Sequence, residues 1–232
     1  MATVSMQGQS RKMDLTPDEV IYFSYDFLVL NATILYTWIV MAFLVVSSWL
    51  ITRKVSVGAE ITQRQAILEV IVETIQRQVR ELTQQDPSPY LPLIGTLFLY
   101  ISIANLLVVL PVFQSPTASL STTAALATWV FVSVPAYAIA KRGIVAYLKD
   151  YAEPTIIMLP LRLLSEISRT ISLAIRLFGN MVSNRLIGAI FLLVIPLIIP
   201  AVLNMIGLIV GQIQAYIFAI LATVYIASAT RS

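Results

Sequence analysis

Two long stretches of this 232-residue chain contain no charged side chain, and they constrain its fold more than any other feature. The first covers 54 residues from Pro87 to Ala140, and the second covers 45 residues from Leu186 to Thr230. A bilayer-spanning helix needs about 20 apolar residues, so the first run is long enough for two crossings. Both runs are continuous rather than alternating, which disfavours a transmembrane β-barrel. The sequence therefore predicts an all-α, polytopic integral membrane protein.

The overall composition agrees with that class and excludes several functions. Hydrophobic residues make up 58% of the chain and charged residues 12%, and the mean hydropathy is +0.86. The chain has no cysteine and no histidine, which removes disulfides, the usual transition-metal sites and Ser-His or Cys-His catalytic pairs. There is no Gly-rich phosphate loop and no basic arm. We expect no cofactor, no nucleotide site and no nucleic-acid partner.

Breaks in the apolar pattern separate a polar N-terminal segment, 1–26, from a single transmembrane domain, 27–232. Residues 16–19, Thr-Pro-Asp-Glu, resemble a helix start and predict a short surface helix. The first 25 residues lack an apolar core, so no signal peptide is expected. Membrane helices are predicted at 27–52, 91–111, 123–140, 157–194 and 199–228. The last two are expected to form a hairpin of long, tilted helices.

Residues 61–84 have a different character, because an apolar stripe alternates with charged residues at helical spacing. This pattern predicts an amphipathic helix at the membrane surface, with partner binding as a second use. The basic clusters 53–54 and 141–149 then fall on the same side of the membrane. The positive-inside tendency places that side, and the C terminus, in the cytoplasm and the N terminus outside.

A single face of the predicted helix 157–194 collects polar side chains at depths where a charge costs about 3 kcal/mol. Its members follow one another by 4, 3, 7 and 4 residues and are Arg162, Glu166, Arg169, Arg176 and Asn180. On the last helix a second polar face recurs by 3, 4 and 3 residues and comprises Asn204, Gly207, Gly211 and Gln214, with Tyr225 beyond them. Gln212 lies on another face. In a hairpin the Gln214 face can meet Arg176, so that neutral amides hold the guanidinium.

An arginine keeps its proton at any physiological pH, so Arg176 acts as a fixed charge rather than a proton carrier. It can displace a cation from an approaching carboxylate and repel leaking cations. Within the predicted spans Glu166 is the candidate carboxylate, but ten residues, about 15 Å of helix, separate it from Arg176. We therefore expect the mobile carboxylate to belong to another subunit.

Two other classes remain as alternatives at this point. A self-contained channel or secondary transporter would use the arginine to bind an anionic substrate, and the purified chain alone would conduct. An intramembrane enzyme is disfavoured because the predicted spans contain no His, Cys or Asp.

The segments SEISRTISLAIRLFGNMVSNRLIGAI and VGQIQAYIFAILATVYIASA resemble subunit a, the membrane-embedded stator of F-type rotary ATP synthases. The resemblance implies a non-catalytic subunit beside a ring of c subunits, with the peripheral-stalk subunit b as a further partner. It implies two offset half-channels that couple H⁺ or Na⁺ flow to rotation and to ATP chemistry elsewhere. Arg176 corresponds to the essential arginine of the family, Asn180 to the asparagine of its motif, and Gln214 to the glutamine facing that arginine.

The chain departs from the family pattern at two positions. Arg185 stands where many members have a carboxylate, and Gly207 stands where many have a histidine. The channel lining is expected instead from polar residues on these two helices, completed by water, namely Ser165, Glu166, Ser172, Ser183, Asn184 and Asn204. Arg169, Arg185 and Tyr225 are further candidate residues for ion translocation. The altered relay is compatible with Na⁺, and the sequence is similar to the N-type, sodium-associated bacterial subgroup. A bacterial inner (plasma) membrane is the expected location.

Overall fold

The computed structural model of the chain describes residues 21–25, 28–53, 63–110, 113–152, 158–194 and 198–230. Seven α-helices fall within these ranges. In chain order they are α1 Ala32–Thr52, α2 Gln63–Thr83, α3 Leu91–Leu106, α4 Leu120–Arg142, α5 Ile144–Ala152, α6 Met158–Val194 and α7 Ile198–Thr230. Short 3₁₀ turns at Leu107–Val109 and Pro116–Ala118 lie between α3 and α4. The described residues are thus almost entirely helical, and the predicted all-α class is confirmed.

A small β-hairpin precedes the first helix. Strand β1, Ile21–Tyr25, pairs antiparallel with strand β2, Leu28–Asn31. The two strands are rich in aromatic and aliphatic residues that favour extended backbone. Helix α1 therefore begins at Ala32 rather than at the predicted residue 27. The surface helix predicted to start at 16–19 lies outside the described residues.

The other helices match the predicted segments to within a few residues, except that α5 was not predicted. Helix α3 ends five residues before 111, where the chain tightens into the 3₁₀ turn Leu107–Val109. Helix α4 is longer at both ends than 123–140. It stops at Gly143, whose φ of 84° suits a glycine C-cap, and α5 follows at once. The amphipathic helix predicted at 61–84 is α2.

Four of the described helices are long and apolar enough to cross a membrane: Ala32–Leu50, Leu91–Val109, Leu120–Arg142 and Ala201–Thr230. Helix α6, the fifth predicted membrane helix, is 37 residues long but carries five charged side chains. At 1.5 Å per residue α6 measures about 55 Å, well beyond the roughly 30 Å of a hydrocarbon core. Such a length fits a tilted helix better than a perpendicular one.

Helices α3, α4, α6 and α7 pack together and form the core of the protein. Its centre consists of side chains that are at most 1% exposed, among them Ile101, Val130, Leu173, Leu177 and Phe218. Helix α1 lies outside this bundle, and most of its large side chains are exposed; Trp38 is 70% exposed. An outer surface of this apolar character suits contact with lipid rather than with water.

Helix α2 docks on the bundle through its apolar stripe. Val79 is buried among side chains of α3, α4 and α7, and the Tyr216 hydroxyl donates a hydrogen bond of 3.0 Å to the Gln78 side chain. A turn then leads into α3. In that turn Asp86 accepts two hydrogen bonds, 2.8 and 3.1 Å, from the hydroxyl and backbone N–H of Ser88, which hold the pKa of this exposed carboxyl below its usual value.

One end of the bundle is tied together by basic side chains. The Arg142 guanidinium donates a hydrogen bond of 2.9 Å to the carbonyl of Ala229 near the end of α7. Lys141 donates one of 2.5 Å to Gln85, just beyond α2. Near the opposite end, Tyr36 of α1 packs edge-on against Phe113 with ring centroids 4.9 Å apart. The C-terminal ends of α2, α4 and α7 therefore lie on one side, and the start of α1 lies on the other.

Candidate functional site

The polar face predicted for the long helix forms a strip along α6. Arg162, Arg169 and Arg176 are exposed, whereas Glu166 and Asn180 are half-buried. Spacings of 3, 4 and 7 residues keep these side chains on one side of a helix with 3.6 residues per turn. The strip therefore has guanidinium groups on its outer edge and less exposed polar groups toward the neighbouring helices.

A pair of carboxamides joins α6 to α7 near the middle of both helices. The Asn180 Nδ2 donates a hydrogen bond of 2.9 Å to Gln214 Oε1. Gln214 is 3% exposed, and its Nε2 has no hydrogen-bond partner among the described residues. A buried amide nitrogen without an acceptor is costly, so within the described part of the chain Gln214 carries one unmet donor beside its bond to Asn180.

Arg176 lies four residues, about 6 Å of helix, before Asn180. Its side chain is exposed and makes no hydrogen bond or ion pair with any residue in the described part of the chain. The amide of Gln214 thus meets Asn180 rather than the guanidinium that the hairpin argument placed against it. The fixed charge of Arg176 faces outward, toward whatever covers this side of α6.

A cavity of about 330 Å³ lies between α4, α5, α6 and α7. We call it the Arg169 cavity. It brings together five residues that sequence reasoning selected: Arg162, Ser165, Glu166, Arg169 and Tyr225. The Arg169 guanidinium lies over the Tyr225 ring, 5.5 Å from its centroid, a cation–π contact that orients the charge. A glutamate with two arginines gives this cavity titratable and fixed charges together.

A second, smaller cavity of about 60 Å³ lies at the other end of the same helix pair. We call it the Asn184 cavity, and its polar lining is Asn105, Ser115, Asn184, Arg185 and Asn204. At Gly207 an added Cβ would sit 3.3 Å from Asn184 Nδ2. The carboxamide of Asn184 thus occupies part of the space that a side chain at position 207 would need. A cavity of this size holds a few water molecules.

The two cavities are separated by a packed region that contains the amide pair. On α6 their nearest lining residues are Thr170 and Met181, 11 residues or about 16 Å apart. Neither Arg176 nor Gln214 lines either cavity. Arg176 and the Asn180–Gln214 pair therefore stand between two polar spaces at opposite ends of the α6–α7 pair.

Two predicted lining residues are not gathered into either cavity. Ser172 and Ser183 are exposed, and each lies four or seven residues from Arg176, so they border its outward-facing side. Gln212, expected on a different face from Gln214, bonds α3: its Nε2 donates to the carbonyl of Ser102 at 2.9 Å.

Sequence reasoning missed the polar groups of α3 and of the turn after it. Asn105 donates a hydrogen bond of 2.8 Å to the carbonyl of Gly211 and accepts one of 2.9 Å from the Thr117 hydroxyl. The available signal was a carboxamide inside a long uncharged run, since such a group needs a partner in a membrane. The described residues hold no group of three or more carboxylate, imidazole or thiol side chains that could bind a metal ion.

A bundle of apolar helices with an exposed arginine on one side, placed between two polar cavities, is the arrangement expected of a multi-pass membrane protein that moves ions. Comparison with known proteins gives the family. Residues 34–227 match the family described as ATP synthase A chain. The chain therefore belongs to the ATP synthase subunit a family, the non-catalytic stator subunit of the membrane sector Fo.

Several relatives are similar over nearly their whole length. ATP synthase subunit a 1 of Crocosphaera subtropica is 56% identical over 216 residues, which cover 93% of this chain and 94% of the relative. ATP synthase subunit a of Albidiferax ferrireducens is 52% identical over 219 residues, covering 94% and 95%. ATP synthase subunit a 1 of Chlorobaculum parvum is 54% identical over 220 residues, covering 95% and 97%. Family membership implies, in general terms, a ring of c subunits and a peripheral stalk as partners.

Proposed function

We propose that this chain carries the ion path of Fo, with Arg176 as the fixed charge that separates ion loading from ion release. The carrying observation is the position of Arg176 and the Asn180–Gln214 pair between two polar cavities. In this proposal each cavity is one half-channel, and neither connects to the other through the chain. An ion must leave one cavity, travel on the ring of c subunits and be released into the other.

The basic residues at the helix ends indicate which cavity opens to which side of the membrane. Lys141 and Arg142 end α4, and Arg53 follows α1. The contacts that tie the ends of α2, α4 and α7 support a common side for these residues, which the positive-inside tendency assigns to the cytoplasm of a bacterial inner membrane. The Arg169 cavity then opens inward and the Asn184 cavity outward. The N terminus is outside and the C terminus cytoplasmic.

The outward exposure of Arg176 fits a charge that acts on another subunit. Two unit charges 4 Å apart attract by about 4 kcal/mol at an effective dielectric constant of 20. That energy corresponds to about three pKa units, enough to expel a proton from a ring carboxylate that passes the guanidinium. Because arginine keeps its own proton, the same charge repels cations that would cross directly between the cavities.

The polar residues of each cavity are assigned by position. Asn184, Asn204 and Arg185 border the outer cavity, where carboxamide oxygens and water can carry an arriving cation. Glu166, Arg169 and Tyr225 border the inner cavity. There Glu166 can accept a released proton, while the positive charge of Arg169 repels cations from the inner cavity into the cytoplasm. Ser172 and Ser183, beside Arg176, face the ring of c subunits in this proposal.

Na⁺ is a second candidate ion. The outer cavity is lined on its polar side by carboxamides, one hydroxyl and an arginine, so its described lining passes a cation by neutral oxygens rather than by a titrating relay. Oxygen ligands of this kind suit hydrated alkali cations. If Na⁺ is the ion, uptake by the assembled complex requires Na⁺ and continues in the presence of a protonophore; strict H⁺ dependence contradicts this reading.

The function is tested by ATP-driven ion uptake into inverted vesicles that carry the whole complex. Arg176→Ala is compared with wild type and with Arg77→Ala, which removes an exposed arginine of α2 that lines neither cavity. At matched assembly we expect Arg176→Ala to abolish uptake and Arg77→Ala to retain it. Normal uptake with Arg176→Ala contradicts the proposed role and moves the fixed charge to Arg169 or Arg185.

A further inference from the structure

The crossing of α3 and α7 contains a buried polar contact at the edge of the Asn184 cavity, and the proposed ion path gives this contact no role of its own. Asn105 is 2% exposed and donates its Nδ2 proton to the carbonyl of Gly211 at 2.8 Å. Its Oδ1 accepts a hydrogen bond of 2.9 Å from Thr117, which lies in the turn between α3 and α4. All the polar atoms of this side chain are therefore used in joining three segments of the chain.

One residue further along α7, a second contact joins the same two helices. Gln212 donates to the carbonyl of Ser102 at 2.9 Å, and the Ser102 hydroxyl donates back to Gln212 Oε1. Helix α3 thus holds α7 at two consecutive residues. Both contacts lie between candidate membrane helices and Asn105 is almost fully buried, so little water competes for these groups and the bonds specify both the height and the rotation of α7 against α3.

The same place is a close junction of three helices. A Cβ added at Gly211 would lie 3.1 Å from Asn105 Cβ and 3.2 Å from Met181 Cε of α6. Gln214 follows three residues later, less than one helical turn away. The position of α7 that α3 fixes at Gly211 therefore also fixes the position of Gln214, the side chain that bonds Asn180.

We propose that Asn105 and Ser102 are positioning residues for ion translocation, because they hold α7 so that Gln214 stays against Asn180. This inference rests on the proposed function. A slip of α7 by one residue would shift it about 1.5 Å along its axis and turn it by about 100°. Such a change breaks the 2.9 Å bond between Asn180 and Gln214 and opens the packed region between the two cavities.

The first test measures ions taken up per ATP hydrolysed by the whole complex in vesicles, at matched assembly. The variants are Asn105→Leu and Ser102→Ala. Ser133→Ala is the control, since that buried hydroxyl bonds only its own helix, at the carbonyl of Trp129. For Asn105→Leu we expect a fall of about threefold or more, the size expected for losing one or two such bonds in a membrane, with increased passive ion leak. The control keeps the wild-type ratio.

A double variant separates positioning from simple stability. Ser102→Ala with Gln212→Leu removes both side chains of the second contact and leaves only the backbone carbonyl of residue 102, which lies inside α3, so no unpaired polar side chain remains to destabilise the bundle. We expect this variant to assemble like wild type and still lose coupling. If the double variant instead assembles like wild type and keeps the wild-type number of ions taken up per ATP hydrolysed, the contact only stabilises the fold. That result overturns the inference.

Arg176→Ala in the same vesicles distinguishes a failure of the positioning role from a failure of the proposed function. If Arg176→Ala abolishes uptake while Asn105→Leu and the double variant keep the wild-type ratio, the positioning role is wrong and the proposed function stands. If Arg176→Ala pumps normally, the proposed function fails and the positioning role fails with it.

Discussion

At the scale of single residues, the permanent charge and the buried neutral contact expected of the proposed ion path belong to different, neighbouring side chains. Arg176 provides a permanent charge and faces outward, whereas Asn180 and Gln214 provide a buried, neutral contact between helices. A guanidinium engaged by the amide of Gln214 would be shielded from a partner. Because the Arg176 guanidinium is free among the described residues, its field is directed at the surface that the ring of c subunits covers in the proposed function.

The amide pair leads to a stability prediction. Asn180→Leu leaves the buried Gln214 Oε1 without its hydrogen-bond donor, which costs about 1–3 kcal/mol. Replacing both residues by leucine removes the polar groups together and is expected to be nearly neutral. The measurement is the temperature at which the purified complex releases this subunit. Asn180→Leu should lower it, and Asn180→Leu with Gln214→Leu should restore it.

ATP-driven ion uptake should not follow the stability of these two variants. The double variant lacks the polar contact between the cavities, so we expect it to remain deficient in ATP-driven uptake even though it is stable. A double variant as unstable as the sum of the single changes would show that Asn180 and Gln214 are not energetically coupled, contrary to the hydrogen bond between them.

At the scale of elements, close packing at glycine sets how α7 lies against its neighbours. Gly211 is buried where α3, α6 and α7 meet, with Asn105 Cβ and Met181 Cε within 3.2 Å of an added Cβ. At Gly207 the nearest atoms belong to the end of the Asn184 side chain, which can move more easily. The two glycines are therefore expected to differ in their tolerance of a methyl group.

Gly211→Ala should destabilise the assembled subunit by about 1–3 kcal/mol, the usual cost of forcing an extra group into a packed core. Gly207→Ala should cost less. Gly95→Ala is the control, because nothing lies within 4 Å of its added Cβ and alanine favours a helix by up to about 1 kcal/mol. The yield of intact complex and its dissociation temperature measure these effects. Equal tolerance at all three positions contradicts the close junction at Gly211.

The sequence predicted these elements well where the signal was local. Uncharged runs and prolines located α3, α4 and α7, and helical spacing placed Asn180 and Gln214 on faces that do meet. The hairpin before α1 and the short helix α5 were missed because their segments are too short for a clear period. The bond from Asn105 to Gly211 was missed because its partner is 106 residues away, and only packing brings the two together.

At the scale of the whole molecule, the two ends of the bundle differ, and the proposed ion path depends on that difference. The larger cavity lies where Arg142 bonds Ala229, and the smaller cavity lies toward the junction of α6 with α7. Helices α6 and α7 are both longer than the bilayer is thick, so each reaches beyond the hydrocarbon at one end or runs at a tilt. The two proposed half-channels must open to opposite sides of the membrane. The side from which each cavity can be reached is therefore the property to measure.

Sidedness can be measured directly, because the chain has no cysteine and single-cysteine variants carry one reactive thiol. Asn204→Cys, in the smaller cavity, should react with a membrane-impermeant maleimide added from the outside. Ser228→Cys, in the larger cavity, should react only when the cytoplasmic face is exposed in inverted vesicles. Leu177→Cys is the control, since this side chain is fully buried and should react from neither side. Labelling of positions 204 and 228 from the same side would mean that both cavities open to one compartment, and the ring could then exchange ions without crossing the membrane.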